Sequence, residues 1–342
     1  MQEKKDYADI SVVVQGPVQS LSDRGQEEGI TKKCIDSVRK YLPGAKIILS
    51  TWHNQDLSDL YYDELVLCDD PGRNIRQYKK DGSPKYYNNN RQIISTAEGL
   101  KRVTTKYAVK LRSDNYLTSN GFVVLQKKFP TRCKQYKFLQ ERVVVANAFT
   151  RKYAKGHKVA FHLSDFFYFG LAKDLLMLWD LPLVADFEKK NNNDYSPCYP
   201  NYITDCTQLF WLLALQKFDP SIKLDHLLDN CSYKLKQSDL CYANNLIIGS
   251  PEEIGLGLGE KFSNGRVRIS RNRGKCAHLH YNEWQVLYIK YCDPDFRAAS
   301  SLKFKLNLFI NRIKYVYPIY PETKLRLLKR KIANKRTLCE NI

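Results

Sequence analysis

The sequence lacks the marks of several protein classes. No run of about 18 apolar residues occurs, so a membrane-spanning helix is not expected. The opening MQEKKDYADI has no apolar core, so a secretory signal is not expected either. None of the ten cysteines stands in a C-x-x-C pair, which excludes a zinc ribbon. Their scatter, mostly beside apolar residues, argues against a disulfide scaffold and for buried thiols in a reducing, cytoplasmic setting. There is no internal repeat, no paired Cys/His finger and no RNP-type aromatic motif, so sequence-reading nucleic-acid modules are excluded. Acidic residues are in deficit, 36 against 55 basic ones, and the net charge is +19. Such an excess implies an anionic partner: nucleic acid, acidic lipid or a phosphate-bearing substrate.

What is present is enough for a core. The chain has 342 residues, 43% of them hydrophobic and 12% aromatic, with 23 tyrosines. DISVVVQGP reads as a β-branched strand stopped by Gly16-Pro17. In EGITKKCIDSVRKYLPG, Ile30, Cys34, Val38 and Leu42 recur every fourth position, a helix ended by Pro43-Gly44. AKIILSTW and DELVLCDD read as strands, NNNRQIISTAEGLKRV as a helix with Ile93, Ala97 and Leu100 on one face, and KYAVKLRSD as a fourth strand. This alternation predicts an α/β fold with a mainly parallel central sheet flanked by helices. Further on, ERVVVANAFT and VAFHLSDFFYFG read as strands and AKDLLMLWDL and ITDCTQLFWLLALQKF as helices. EKKNNNDYSPCYPN reads as a polar loop, GSPEEIGLGLGEKFSNG as another loop, and HLHYNEWQVLYIKYC carries a helical stripe. From residue 301 the chain becomes a basic, partly helical extension: eleven Lys or Arg against two Glu, a net of +9, interleaved with large apolar residues. Such a mixture suits an anionic membrane surface; a solvated helical face is the other reading.

Open parallel sheets bind ligands at the carboxyl ends of their strands. Four consecutive strands end there in polar residues: Gln15-Gly16-Pro17, Ser50-Thr51-Trp52, Asp69-Asp70-Pro71-Gly72 and Arg112-Ser113-Asp114. Gly16 lets a backbone approach a base or ribose closely. Asp69 or Asp70 can accept hydrogen bonds from a nucleoside, or cap the Pro71-Gly72 turn. Asn90, Arg91 and Gln92 open a helix near this edge, where Arg91 and backbone N–H groups can meet phosphate. Lys110 and Arg112 alternate on one strand, so both face one side, and two cations there call for an anion such as a diphosphate.

The strand-end Asp resembles the Asp-x-Asp element of nucleotide-sugar transferases, whose carboxylates hold Mn²⁺ or Mg²⁺ against the leaving diphosphate. Here the pattern is incomplete, because Arg112 stands two before Asp114 and Asn115 one after. Either the metal has fewer carboxylate ligands, Arg112 supplies part of the positive charge, or Arg112 and Asp114 form only a strand-end ion pair.

VVVQGPV, CDDPG, NNNRQIISTAEGL, YAVKLRSDN and HLSDFFYFG, in this order over roughly residues 10 to 215, resemble the WavE lipopolysaccharide-synthesis family, whose members look like GT-A-type glycosyltransferases. The resemblance implies a GT-A-like catalytic domain over 1–300, with a nucleotide-binding half to about residue 120 and an acceptor half from 121, before the tail of 301–342. It implies a glycosyltransferase moving a sugar from a nucleotide-sugar donor to a lipopolysaccharide or capsule acceptor, saccharide or lipid-linked, at the inner face of a bacterial inner membrane. The donor site is expected to use Gln15, Gly16, Pro17, Asp69, Asp70, Asn90, Arg91, Gln92, Lys110, Arg112 and Ser113.

The expected divalent Mn or Mg takes Asp114 and Asn115 as ligands. His278 and His280 join them, since GT-A folds often bring a late His to the metal and these two alternate on an expected strand. An inverting reaction also needs a carboxylate to take the acceptor's proton. Asp165 interrupts an aromatic run, where desolvation raises a carboxylate's proton affinity. Asp205 opens a helix, where capping is its other role. Other family members tend to carry Glu near Asp205. A phosphosugar transferase would use the same edge. A nucleic-acid-binding protein fits the +19 charge but not Asp69, Asp70 and Asp114 at that edge, so no nucleic-acid partner is expected.

Overall fold

Six valine, isoleucine, serine and glutamine side chains in β1 (Ile10–Gln15) are all buried, so this strand can only lie at the centre of a covered sheet. The computed structural model describes residues 6–19, 27–192, 194–263, 272–298 and 301–340. Around β1 run β2 (Lys46–Trp52), β3 (Glu64–Cys68), β4 (Tyr107–Arg112), β5 (Val143–Ala146), β6 (Phe167–Leu171) and β7 (Leu246–Gly249). The seven form one sheet in the order β3-β2-β1-β4-β6-β5-β7. All neighbours are parallel except β6, which is antiparallel to both β4 and β5. This is the mainly parallel, Rossmann-like arrangement expected from the sequence.

Helices cover both faces. Among them are α1 (Ile30–Tyr41), α2 (Asn89–Lys101), α3 (Ala172–Trp179), α4 (Cys206–Gln216), α5 (Ser232–Asn245) and α6 (Tyr281–Tyr291). The expected stripes are the buried ones: Ile30, Cys34, Val38 and Leu42 on and just after α1, and Ile93, Ala97 and Leu100 on α2. Each fully buried Ile, Leu or Val contributes about 1.5–3 kcal/mol. Beyond the sheet, α7 (Leu302–Tyr315) and α8 (Ile319–Glu340) lie at the end of the chain. No helix among the described residues is long and apolar enough to cross a membrane. The nine cysteines from Cys34 to Cys292 are all free thiols.

Three local expectations need correction. In VAFHLSDFFYFG strand begins only at Phe167, where β6 (Phe167–Leu171) starts. Upstream, Phe161 has φ 55°, and the Ser164 N–H donates to Thr150 Oγ1 (3.0 Å) rather than to a neighbouring strand. The segment after Gly249 is not a plain loop. It holds short helices at Pro251–Ile254 and Glu260–Ser263, and Leu256–Leu258 pairs antiparallel with Asn115–Leu117. His278 and His280 do not sit on a strand. They link the helix Asn272–Ala277 to α6, which His280 caps in a box with Glu283.

Candidate active site

The register of the sheet brings the polar strand ends together. Gln15 pairs with Ser50 of β2 and with Arg112 of β4, and Trp52 pairs with Cys68 of β3. Past Gln15 the chain turns sharply at Gly16, whose φ is +117°. A Cβ there would stand 3.0 Å from Ser113 Oγ, so glycine lets two strand ends lie side by side. The Gly16 N–H donates to the Ser50 carbonyl (3.1 Å), the Ser113 N–H to the Gln15 carbonyl (3.0 Å), and the Ser113 hydroxyl to the Pro17 carbonyl (2.8 Å). Gln15 itself is buried and accepts from Ser95 of α2 (2.8 Å). It braces the edge instead of facing a ligand.

These turns wall a polar cleft of about 690 Å³. Its lining includes Gln15, Gly16, Pro17, Asp69, Asp70, Arg91, Gln92, Arg112, Ser113 and Asp114 of the expected residues. Trp52, His53, Asn54, Gln55, Asn88 and Ser95 line it too. Trp52 belongs to an expected strand end, Ser50-Thr51-Trp52, whereas His53, Asn54, Gln55, Asn88 and Ser95 were not singled out from sequence. Small-molecule sites run from about 300 to 1,000 Å³, a range that includes this cleft.

The charges at one end form a closed set. The Arg112 fork grips Asp114 through Nε (2.9 Å) and Nη2 (2.7 Å). Arg112 Nη1 also lies 3.6 Å from Asp165, and its guanidinium stacks over Phe166 (4.7 Å) and Phe262 (5.7 Å). Burial disfavours the guanidinium's charge, but Asp114 and Asp165 outweigh it and hold Arg112 firmly protonated. Gln92 donates to Asp165 Oδ2 (2.6 Å). Lys110 is fully buried, donates to the Asp165 carbonyl and lies over the Trp179 ring (4.3 Å). Burial pushes its ammonium down to about 7, with Asp165 opposing and Arg112 adding to the shift. The two cations were expected to await an external anion. Instead Asp114 and Asp165 face them from within the chain, and Lys110 lies outside the cleft.

The remaining residues divide. Arg91 grips Asp70 through Nε (2.7 Å) and Nη2, which draws the Asp70 carboxylate below its ordinary range. Asp69 is fully exposed at the rim, 3.6 Å from His53. Asn90 turns away from the cleft: its side chain exchanges two hydrogen bonds with the Val184 backbone (2.7 and 3.0 Å).

Asp205 caps α4 in a box with Gln208 and is held by Arg151 (2.9 Å) and His162 (3.0 Å). Burial raises its proton affinity, yet His162 and Arg151 outweigh that and hold the carboxylate well below the usual range. Sequence reasoning gave no sign of Arg151 or His162, because neither stands in a recognisable pattern near Asp205.

The expected metal ligands do not converge. Both Asp114 oxygens are engaged by Arg112. Asn115 is fully buried, and its side-chain atoms meet no hydrogen-bond partner among the described residues. His278 accepts from the Phe149 N–H (3.4 Å), and burial, then Arg151, keeps its ring neutral. His280 Nε2 donates to the Lys275 carbonyl (3.0 Å). Among the described residues no group of three His, Cys, Asp or Glu side chains is placed to hold an ion. This set does not fit a divalent metal.

The Rossmann-like sheet with one antiparallel strand thus carries a polar cleft at its carboxyl edge, where open α/β sheets bind ligands. The model of the WavE lipopolysaccharide synthesis family matches residues 10–318. The chain belongs to that family, which implies a role in lipopolysaccharide synthesis. No curated protein matches it. Among solved structures, 4-diphosphocytidyl-2C-methyl-D-erythritol synthase from Anaerococcus prevotii DSM 20548 is 12% identical, with a TM-score of 0.30, over 54% of this chain and 81% of that one.

Proposed function

We propose that the protein is a nucleotide-sugar-dependent glycosyltransferase of lipopolysaccharide or capsule synthesis. The observation that carries this reading is the cleft: nine of the expected donor-site residues, with Asp114 beside them, line it at the carboxyl ends of β1, β3 and β4 and the first turn of α2. Trp52, His53 and the exposed Asp69 offer an aromatic face and a carboxylate to a nucleoside. Arg112 and Arg91, whose Nε and Nη2 groups already hold Asp114 and Asp70, offer positive charge and their remaining N–H groups to phosphate.

In the reaction the acceptor hydroxyl oxygen bonds the anomeric carbon, the bond from that carbon to the diphosphate breaks, and the proton passes to a carboxylate. Arg112 stabilises the charge that grows on the leaving diphosphate. Asp165 positions Arg112, Gln92 and Lys110. Asp205 receives the proton: its side chain is 39% exposed, against 11% for Asp165. Arg151 and His162 hold its carboxylate anionic, which leaves it able to accept a proton but makes it a weak base until those contacts loosen.

The test is a thermal-shift screen of nucleoside diphosphates and nucleotide sugars, followed by product analysis. A bound ligand at about 100 times its Kd adds roughly 2.7 kcal/mol. One nucleotide class is expected to raise Tm by several degrees, and its sugar to appear on a saccharide acceptor without phosphate. A product that keeps the phosphate would make the enzyme a phosphosugar transferase, and no shift with any nucleotide would remove the donor site.

A further inference from the structure

Helix α7 is packed inside out. Its one buried side chain is Arg312, which forks onto Glu283 (2.6 and 2.8 Å) and donates to the carbonyls of Cys276 (2.9 Å) and His278 (3.1 Å). On the same inner side Phe304 packs edge-on against His280 (5.6 Å). The outer side carries Leu302, Leu306, Phe309, Ile310 and Ile313, each between 50% and 81% exposed. At 3.6 residues per turn these five fall within an arc of about 100°. Lys303 and Lys314 border one edge of the arc and Lys305 the other. Helix α8 repeats the pattern. Leu327 packs inward against the cluster of Ala154, Val159, Leu227 and Leu228, while Leu325, Leu328 and Ile332 are 45% to 55% exposed.

A continuous apolar stripe of this kind marks an interaction surface. We propose that α7 and α8 form a docking face that lies in the plane of an anionic lipid surface. Three observations select lipid. Cations flank the apolar rows, and the sequence from 301 to 342 holds only two acidic residues, so the face complements negative headgroups. A second copy would bring the same net +9 against itself. The stripe from Leu302 to Ile313 is about 17 Å long at 1.5 Å per residue, too short to span a bilayer but suited to lying on one. The inner faces already fix both helices to the body, so docking requires no refolding. The proposal is independent of the donor site.

The experiment is co-sedimentation of the full chain with phosphatidylcholine vesicles, with and without phosphatidylglycerol. Wild type is expected to bind only the anionic vesicles, less so as salt rises. Lys303→Gln with Lys314→Gln should weaken binding about fivefold for each cation removed. Leu306→Gln with Phe309→Gln and Ile313→Gln should abolish it. All five positions are exposed, so Tm and nucleotide-induced shifts should match wild type. Equal binding by wild type and the apolar variant would overturn the proposal. So would solution dimerisation that the apolar variant abolishes, or capture of a DNA duplex in place of vesicles.

Discussion

Removing Arg112 should cost stability and donor binding together, and a double variant separates the two. The guanidinium makes two bonds to Asp114, at 2.9 and 2.7 Å. The side chains are 23% and 4% exposed, so the pair is largely out of water. Arg112→Ala leaves the Asp114 carboxylate buried without its guanidinium, which costs about 3–5 kcal/mol for a buried pair. Asp114→Ala should cost less, because Arg112 keeps Asp165 nearby, 3.6 Å away. Replacing both, Arg112→Met with Asp114→Leu, removes both buried charges and should recover most of the loss.

Urea unfolding at neutral pH measures these terms, and a nucleotide-induced thermal shift measures donor binding in each variant that folds. The double variant is expected to be more stable than Arg112→Ala yet to show no nucleotide shift. A chelator should leave the wild-type shift unchanged, since the ligand set does not fit a metal. If the double variant is stable and still binds nucleotide, Arg112 has no donor role. If each single variant loses under about 1 kcal/mol, the pair behaves as an exposed one and the reasoning from burial fails.

Three further outcomes follow from the geometry. Lys110 has a folded pKa near 7, below its unfolded value of 10.5, so between those limits the unfolded chain binds more protons and stability should rise with pH, by up to a few kcal/mol; urea titrations from pH 7 to 10 should show a shallower rise in Lys110→Met, and identical slopes would refute the assignment. Gly16→Ala places a Cβ at φ +117°, 3.0 Å from Ser113 Oγ, and should cost about 1–3 kcal/mol while weakening nucleotide binding; an unchanged Tm would mean the turn relaxes. Asp205→Asn keeps a capping side chain but loses the charge held by Arg151 and His162, so turnover should fall by at least about 100-fold with nucleotide binding intact; normal turnover would leave Asp205 only a cap.

How much of this was legible in the sequence depends on range. The β-branched runs and four-residue stripes are local signals, and strands β1 to β4 with helices α1 and α2 stand where those signals put them. The sheet edge was legible for the same reason: a strand's last residues are fixed by the strand. The partners of the strand-end cations were not. Gln92 and Asp165 meet across 73 residues, and only the antiparallel return of β6 beside β4 brings them together. The histidines failed differently. His-Leu-His copies the alternation of a strand over three residues, but Glu283 three residues after His280 is the signal of a helix start, and the capping box prevailed. Asn90 opens its helix as expected, yet which way a first-turn side chain points depends on the distant segment at Val184.

The net charge also divides once residues have places. A basic sequence invites the inference that its site is basic, and here the inference misleads. Of the charged residues lining the cleft, Arg91 and Arg112 are both paired to aspartates, Asp70 and Asp114, and Asp69 adds a third carboxylate. The lining's arginine and carboxylate side chains therefore sum to one negative charge. Recognition of a diphosphate there depends on forks already oriented by their aspartates, not on bulk attraction. Nearly half of the +19 lies instead in residues 301–342, on helices whose exposed residues are mostly cations and large apolar groups. Long-range attraction belongs to that face, and it is screened over about 10 Å at moderate salt. Salt should accordingly weaken lipid association far more than nucleotide binding in the cleft, where the buried fork of Arg112 is little screened. If nucleotide binding and lipid binding fell together with salt, the cleft would be drawing on the bulk charge, and this separation of the two surfaces would be wrong.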